Sequence, residues 1–236
     1  MKKNTLKQYF LYYNIIEITM TNKPKAFIFL HGYGNCGNDM RILENTFRQK
    51  APENSIFLYP DAPFRVPNNN GFSWFPFVLS VGESGVENLN EENLYQSMQQ
   101  AMPYLYYYID ANVDMKKFSI SDIFLIGFSQ GAGLAVHSCM RFGKSICGAV
   151  SFSGGFVNPK NRIKSEEQKL SKTPICFIHG EKDKILPYQL SISGYNALKD
   201  IGFKSEILLI PNAKHTITKE GMNFAGQFVE KILNDL

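Results

Sequence analysis

The chain has 236 residues, of which 44% are apolar and 14% aromatic, a composition typical of one globular domain and not of a disordered or fibrous chain. Lys and Arg outnumber Asp and Glu by only 25 to 21, a net charge of +4 that argues against a dedicated nucleic-acid-binding protein. The longest apolar runs, such as 26–30 and 104–109, are far shorter than the ~20 residues of a membrane span, so we expect no stable membrane insertion.

Short apolar runs alternate along the chain with segments of helical periodicity. Strands are predicted at 11–18, 26–30, 55–59, 122–126, 146–152, 174–178 and 205–210. Helices are predicted at 39–50, 91–110, 130–142, 188–201 and 217–235. This alternation favours a mostly parallel central sheet with helices on both faces. Because no linker or repeat divides the chain, we expect one domain over 1–236, in which 1–20 forms an outer strand or an extension and Met20 is an alternative start.

The segment 61–90 does not fit the alternation. It is rich in large apolar residues but also holds several prolines, three glycines and three consecutive asparagines, so we expect no regular element there. A loop this long and apolar is more often functional than idle. We assign substrate-binding roles to Phe72, Trp74 and Phe75 within it, although its aromatics could instead simply cover the sheet.

The first residues and the cysteines both favour a cytoplasmic setting. Lys2 and Lys3 could flank a secretory signal, but Asn14 and Glu17 interrupt the apolar region and no small-residue cleavage site follows. The four cysteines are widely spaced, with no C-x-x-C pair, which is typical of structural thiols in a reducing compartment.

The sequence Gly127-Phe128-Ser129-Gln130-Gly131 is a G-x-S-x-G motif between a predicted strand and a predicted helix. A serine on such a tight strand-to-helix turn has a strained backbone that glycine neighbours tolerate, and its hydroxyl then projects clear of the sheet. The motif therefore predicts a nucleophile elbow with Ser129 as the nucleophile.

A serine nucleophile needs a base and an orienting carboxylate, which follow it in the order Ser, Asp, His in the α/β-hydrolase arrangement. Asp183 follows the strand 174–178, and His215 follows the strand 205–210. Glu181 is the rival acid, but we favour Asp183 because a loop carboxylate a few residues beyond the strand can reach the histidine. The other histidines, His31, His137 and His179, do not follow both the serine and a suitable acid, and we expect turn or hydrogen-bond roles for His31 and His179.

An oxyanion hole needs two N–H donors aimed at the developing negative charge. The backbone of Gln130, the residue after the nucleophile, is expected to supply one of them. Tyr33 in the glycine-rich strand exit His31-Gly32-Tyr33-Gly34 is expected to supply the other. Beside these two turns, Leu30 and Phe128 complete the predicted substrate-binding set.

An ordered set of motifs resembles the phospholipase/carboxylesterase family, which includes acyl-protein thioesterases and small bacterial carboxylesterases. The matching segments are Phe29-Leu30-His31-Gly32-Tyr33-Gly34, Pro60-Asp61-Ala62-Pro63, Ser73-Trp74-Phe75, Glu83-Ser84-Gly85-Val86, the elbow itself, and His179-Gly180-Glu181-Lys182-Asp183 with the Pro187 that follows. Pro76 departs from the family, which usually has Asp there. The resemblance implies an α/β-hydrolase fold, with Ser129, Asp183 and His215 as the triad and Tyr33 and Gln130 as oxyanion donors. Because 236 residues are close to the minimum for the sheet, its helices and three catalytic loops, we expect no large cap domain.

The expected function is hydrolysis of carboxylic esters or thioesters, through an acyl-enzyme, on a small-molecule ester or an acylated substrate. No metal or organic cofactor is implied, because there is no H-E-x-x-H, no Cys/His cluster and no G-x-G-x-x-G after a strand. A peptidase, a dienelactone-type hydrolase, an acyltransferase and a silent binding protein on the same scaffold remain as alternatives. The sequence also leaves open a homodimer, the acyl chain length and the leaving group.

Overall fold

The computed structural model describes residues 23–67, 69–76, 81–82, 85–86, 90–158 and 161–236. The strand predicted at 11–18, and with it the outer strand or extension over 1–20, lies outside the described residues. Among the helices that are described, none is long and apolar enough to cross a membrane.

Ten strands and six α-helices form the described parts of the chain. The strands are β1 (Ala26–Leu30), β2 (Ile56–Leu58), β3 (Phe64–Arg65), β4 (Phe72–Ser73), β5 (Val81–Gly82), β6 (Gly85–Val86), β7 (Ile123–Phe128), β8 (Gly148–Phe152), β9 (Ile175–Gly180) and β10 (Ser205–Ile210). The helices are α1 (Glu44–Arg48), α2 (Glu91–Asn112), α3 (Gln130–Cys139), α4 (Arg162–Glu166), α5 (Gln189–Asp200) and α6 (Lys219–Asn234). Short 3-10 turns occur at Gly37–Leu43, Ile120–Asp122 and Glu167–Lys169.

Six of the strands form one sheet in the order β10-β9-β8-β7-β1-β2, and every neighbouring pair is parallel. The parallel sheet that the alternating pattern predicts is therefore confirmed. Because all six strands run the same way, their carboxyl ends lie along one edge, which is where ligands bind in sheets of this kind.

Apolar cores cover both faces of the sheet. On β1, Ala26, Ile28 and Leu30 face a core that includes residues of α2, α3 and α5. Phe27 and Phe29 face the opposite core, which includes residues of α1 and α6. Burial on both faces explains why the central strands are apolar without interruption.

Several element boundaries differ from the predictions. The segment predicted as a helix at 39–50 is a 3-10 turn followed by the single short helix α1. Asp122, predicted as the start of a strand, ends a 3-10 turn instead, because its carboxylate accepts hydrogen bonds from the backbone N–H and the hydroxyl of Ser119. Segment 61–90 was expected to hold no regular element, but β3 pairs with β4 and β5 with β6 in two short antiparallel ribbons.

The edge of the sheet opposite the carboxyl ends carries a buried ion pair. Asp122 Oδ1 lies 2.9 Å from Lys25 Nζ, with only 3% and 5% of the two side chains exposed, and Asp122 also pairs with Lys23. Burial raises the pKa of the Asp122 carboxyl, but hydrogen bonds from Lys23, Ser119 and Lys25 outweigh it and hold this pKa below its usual range. The pair fixes β1 to the turn that precedes β7.

Candidate active site

The turn between β7 and α3 has the geometry of a nucleophile elbow. Ser129 has φ 54° and ψ −116°, a backbone conformation that non-glycine residues rarely adopt. A Cβ at Gly131 would lie 2.2 Å from the carbonyl oxygen of Leu30, and one at Gly127 would lie 2.4 Å from the Cα of Ala132. The two glycines are therefore required for β1, β7 and α3 to meet at this point.

Three side chains from different strand ends are connected by hydrogen bonds. Ser129 Oγ follows β7 and lies 2.9 Å from Nε2 of His215, in the loop after β10. His215 Nδ1 lies 2.7 Å from Oδ2 of Asp183, in the loop after β9. Because Nδ1–H donates its hydrogen bond to the carboxylate, Nε2 of the neutral ring is left as the acceptor that faces the Ser129 hydroxyl. The structure thus brings together the three residues that the sequence predicts as nucleophile, base and acid.

Asp183 is held from both of its oxygen atoms. Oδ1 accepts the backbone N–H groups of Ile185, at 2.8 Å, and Leu186, at 2.9 Å. Burial by itself raises the pKa of this carboxyl, but hydrogen bonds from His179, His215 and the Leu186 backbone lower it below the usual range. The carboxylate is therefore ionised at neutral pH. Glu181, the rival acid, is exposed.

Two of the other histidines have the hydrogen-bond roles expected of them. His31 Nδ1 lies 2.7 Å from the carbonyl oxygen of Gly32, and its Nε2 accepts the backbone N–H of Ala62 at 3.0 Å. Burial lowers the pKa of His31, so the ring is a neutral bridge between two loops. His179 binds Asp183. His137 is buried against the ring of Tyr95, and burial, followed by the charge of Arg141, lowers its pKa.

The predicted oxyanion donors both line the cavity that contains Ser129. Gln130 is the first residue of α3, so its N–H belongs to the group that a helix leaves without an intrahelical partner. Tyr33 lies in the loop after β1, which is fixed by hydrogen bonds from Gly34 N to Phe72 O, at 2.9 Å, and from Phe72 N to Asn35 O, at 2.8 Å.

The side chain of Gln130 has a second contact that the sequence did not indicate. Its Oε1 accepts the backbone N–H of Trp74 at 2.8 Å, and its Nε2 donates to the carbonyl oxygen of Phe75 at 2.9 Å. Gln130 therefore fastens the loop after β4 to the elbow.

A cavity of about 540 Å³ opens beside Ser129. Its wall is mainly apolar, and the lining residues are Gly32, Tyr33, Asn35, Phe75, Leu94, Met98, Phe128, Ser129, Gln130, Gly133, Gly155, Ile185, Leu186 and His215. A cavity of this size with few polar groups is typical of a site for an apolar ligand.

Phe75 and Phe128 from the predicted substrate-binding set line this cavity, but three other members lie elsewhere. Leu30 is fully buried in the core at the end of β1. Trp74 is buried as well and donates its indole N–H to the carbonyl oxygen of His31 at 2.9 Å. Phe72 packs against the same core, with the guanidinium of Arg65 over its ring. These three side chains support the loops around the cavity instead of lining it.

The other apolar wall of the cavity comes from residues that were not predicted to bind substrate. Leu94 and Met98 are one helical turn apart on α2, and the loop beyond Asp183 contributes Ile185 and Leu186. The helical spacing of Leu94 and Met98 indicated a buried face but not a ligand. Ile185 and Leu186 form an apolar pair that begins two residues after Asp183, which was a usable indication.

A smaller cleft of about 230 Å³ also borders His215. It shares Gly32, Asn35, Phe128 and His215 with the larger cavity and adds Asp39, Met40, Ile42, Thr216 and Ile217. His215 therefore borders two spaces of different size and polarity. In the part of the chain that the structure describes, no three His, Cys, Asp or Glu side chains are grouped so as to hold a metal ion.

Comparison with known proteins gives consistent results. A family model described as Phospholipase/Carboxylesterase matches residues 13–233. Carboxylesterase SOBER1 of Arabidopsis thaliana is 26% identical over 213 residues, which cover 87% of this chain and 90% of the relative. Acyl-protein thioesterase 1 of Kluyveromyces lactis is 27% identical over 234 residues, which cover 93% and 98%. The crystal structure of esterase PE8 superposes with a TM-score of 0.77 at 28% identity, covering 88% and 92%.

Proposed function

The chain belongs to the phospholipase/carboxylesterase family, has the α/β-hydrolase fold and is a serine carboxylic-ester hydrolase; from this premise we propose that it cleaves esters or thioesters of apolar acyl groups through a Ser129-His215-Asp183 triad and an acyl-enzyme. The observation that carries the proposal is the continuous hydrogen-bond chain from Ser129 Oγ through His215 to Asp183, with distances of 2.9 Å and 2.7 Å.

The first half of the proposed reaction forms the acyl-enzyme. Ser129 Oγ attacks the carbonyl carbon while its proton passes to Nε2 of His215. The backbone N–H groups of Tyr33 and Gln130 stabilise the oxyanion. When the tetrahedral intermediate collapses, the bond to the leaving group breaks and His215 gives its proton to the departing alcohol or thiol.

The second half releases the acid. A water molecule loses a proton to His215 as its oxygen attacks the acyl carbon, and the proton returns to Ser129 Oγ when the ester bond to the enzyme breaks. Asp183 orients the imidazole throughout and stabilises its protonated form.

The two cavities support a division of the substrate between them. We place the acyl chain in the apolar cavity of about 540 Å³, because each buried CH₂ contributes about 0.8 kcal/mol to binding. The leaving group then occupies the smaller cleft, which borders His215, the residue that must protonate it. Segment 61–90 contributes to acyl recognition through Phe75.

We further propose that the chain forms one domain and acts in the cytoplasm. Cys139, Cys147 and Cys176 are buried free thiols. Burial raises their pKa values, that of Cys147 to about 12, so these thiols are poor nucleophiles. Unpaired, inert cysteines favour a reducing compartment.

The test is a pair of serine variants. Ser129→Ala should lose hydrolysis of short p-nitrophenyl esters and labelling by a fluorophosphonate probe, while its melting temperature stays near that of the wild type. Ser165→Ala, a change at an exposed serine of α4, is the matched control and should retain both. Hydrolysis by Ser129→Ala at the wild-type rate would overturn the proposed triad. Product analysis with an added alcohol separates hydrolysis from acyl transfer.

A further inference from the structure

His179, near the end of β9, is a second imidazole on the acid of the proposed triad. Its Nε2 lies 3.0 Å from Asp183 Oδ2, the same oxygen that accepts Nδ1 of His215. The side chains of His179 and Asp183 are both 0% exposed. The proposed reaction steps use His215 as the only histidine, so they do not say what this buried hydrogen bond contributes to catalysis.

The surroundings of His179 fix which nitrogen carries its proton. Nε2 faces two acceptors, Asp183 Oδ2 and the carbonyl oxygen of Leu186, each at 3.0 Å, so it must be a donor. Nδ1 lies 2.7 Å from the hydroxyl oxygen of Ser191. That hydroxyl also donates to the carbonyl oxygen of Gly154 at 3.3 Å. Whichever partner the hydroxyl proton faces, Nε2–H of His179 donates to Asp183.

We propose that His179 is a positioning residue of the active site, which holds Asp183 Oδ2 toward His215 and moderates the attraction of this carboxylate for the protonated imidazole. The inference rests on the proposed triad and extends its hydrogen-bond chain to Ser191, His179, Asp183, His215 and Ser129. The Ile185 and Leu186 amides fix Oδ1, so the orientation of the other oxygen depends on His179 and His215.

The sign of the effect follows from charge sharing. A carboxylate oxygen that accepts two hydrogen bonds offers less negative charge to each donor. Without His179, Oδ2 would stabilise the charged form of His215 more strongly, and His215 would stay protonated to a higher pH. Among the described residues, His179 from β9 and His215 from the loop after β10 are the titratable side chains hydrogen-bonded to Asp183. The pH at which kcat/KM falls on the acidic side of the pH profile therefore reports on the hydrogen bond between His179 and Asp183.

Two substitutions separate the hydrogen bond from the packing. His179→Leu fills similar space without a donor, whereas the amide of His179→Gln can still donate to Asp183. For p-nitrophenyl acetate we expect the midpoint of the acid limb of kcat/KM to rise by about 0.5–1 pH unit in His179→Leu. We also expect kcat at the plateau to fall about tenfold while KM changes little. His179→Gln should restore the wild-type midpoint.

The result that would overturn the inference is a lowered melting temperature in His179→Leu with an unchanged midpoint, because a purely structural residue gives that pattern. If neither variant folds, nitrogen NMR of the wild-type protein labelled at histidine decides the question. It should show a proton on Nε2 of His179 throughout the active pH range, and a ring protonated at Nδ1 alone would refute the inference. Failure of the proposed triad would appear separately, as hydrolysis by Ser129→Ala.

Discussion

Replacement of Gly131 by alanine is the sharpest test of how the elbow is built. The added Cβ would lie 2.2 Å from the carbonyl oxygen of Leu30 and 2.6 Å from that of His31. Both atoms belong to the backbone at the end of β1, so no side chain can rotate away. To reach even 3.0 Å, a separation below which real Cβ contacts essentially never fall, α3 and β1 must move apart by about 0.8 Å.

This displacement would separate the two proposed oxyanion donors, because Gln130 begins α3 and Tyr33 follows β1. A misplacement of about 1 Å in an active site costs roughly 10²-fold in rate. Overpacking of this kind also lowers the free energy of unfolding by about 1–3 kcal/mol. Gly131→Ala should therefore lose about 100-fold in kcat for p-nitrophenyl acetate and have a lower melting temperature.

Gly155→Ala is the matched control for this experiment. Its Cβ would meet Leu190 Cδ1 at 3.6 Å and Leu186 Cδ1 at 3.9 Å, which are ordinary contacts. Although Gly155 lines the large cavity, an acetyl group is small enough to avoid it, so the acetate ester should be hydrolysed at close to the wild-type rate. If Gly131→Ala retained full kcat and stability, the close approach of α3 to β1 would not be what positions the donors.

Three further predictions concern the cavity, the ion pair and the base. Ile185→Ser should reduce kcat/KM for a long-chain p-nitrophenyl ester about fourfold to fifteenfold, which corresponds to the loss of one or two buried CH₂ groups at about 0.8 kcal/mol each. The kcat/KM for the acetate ester should change far less, and equal losses on both esters would contradict the proposed acyl site. Asp122→Asn should lower the free energy of unfolding by about 3–5 kcal/mol in urea titrations at neutral pH, because Lys25 would stay buried without its counter-charge. Since folding lowers the pKa of Asp122, its stabilisation is full above the ordinary value of 3.8 and is lost as the pH falls below it. The variant and the wild type should therefore converge in stability toward acidic pH, and a gap that persists there would count against the ion pair. Finally, esterase activity should fall as the pH drops through the titration of His215, because only the neutral ring accepts the serine proton; a flat rate profile from mildly acidic to neutral pH would disagree.

The sequence was sufficient to locate the elbow because its requirements are local. Gly127, Ser129 and Gly131 must follow a strand and open a helix, and these features are adjacent in the chain. Asp183 and His215 could be named because each follows a strand of the same parallel sheet, so all three carboxyl ends converge.

The rest depends on contacts between distant segments. Trp74 resembled a ligand-binding aromatic, yet its indole is buried and donates its N–H to the carbonyl oxygen of His31. Met98 resembled an ordinary core residue, yet part of its surface borders the cavity. Apolar periodicity shows that a side chain avoids water and does not show whether protein or ligand covers it. The contact between His179 and Asp183 likewise depended on loop geometry that spacing does not specify.

The two hydrogen bonds by which the Gln130 side chain holds the loop after β4 affect how readily this enzyme can acquire new substrates. Both groups it binds, the Trp74 N–H and the Phe75 carbonyl oxygen, belong to the main chain, so these two hydrogen bonds do not depend on the side chain at position 75. Mutation can therefore vary the residue at 75 and reshape the proposed acyl site while Gln130 keeps the loop attached beside Ser129. Laboratory selection for activity on substrates of a different acyl chain length should accordingly accumulate substitutions at Phe75, Leu94 or Ile185 and leave Gln130 unchanged.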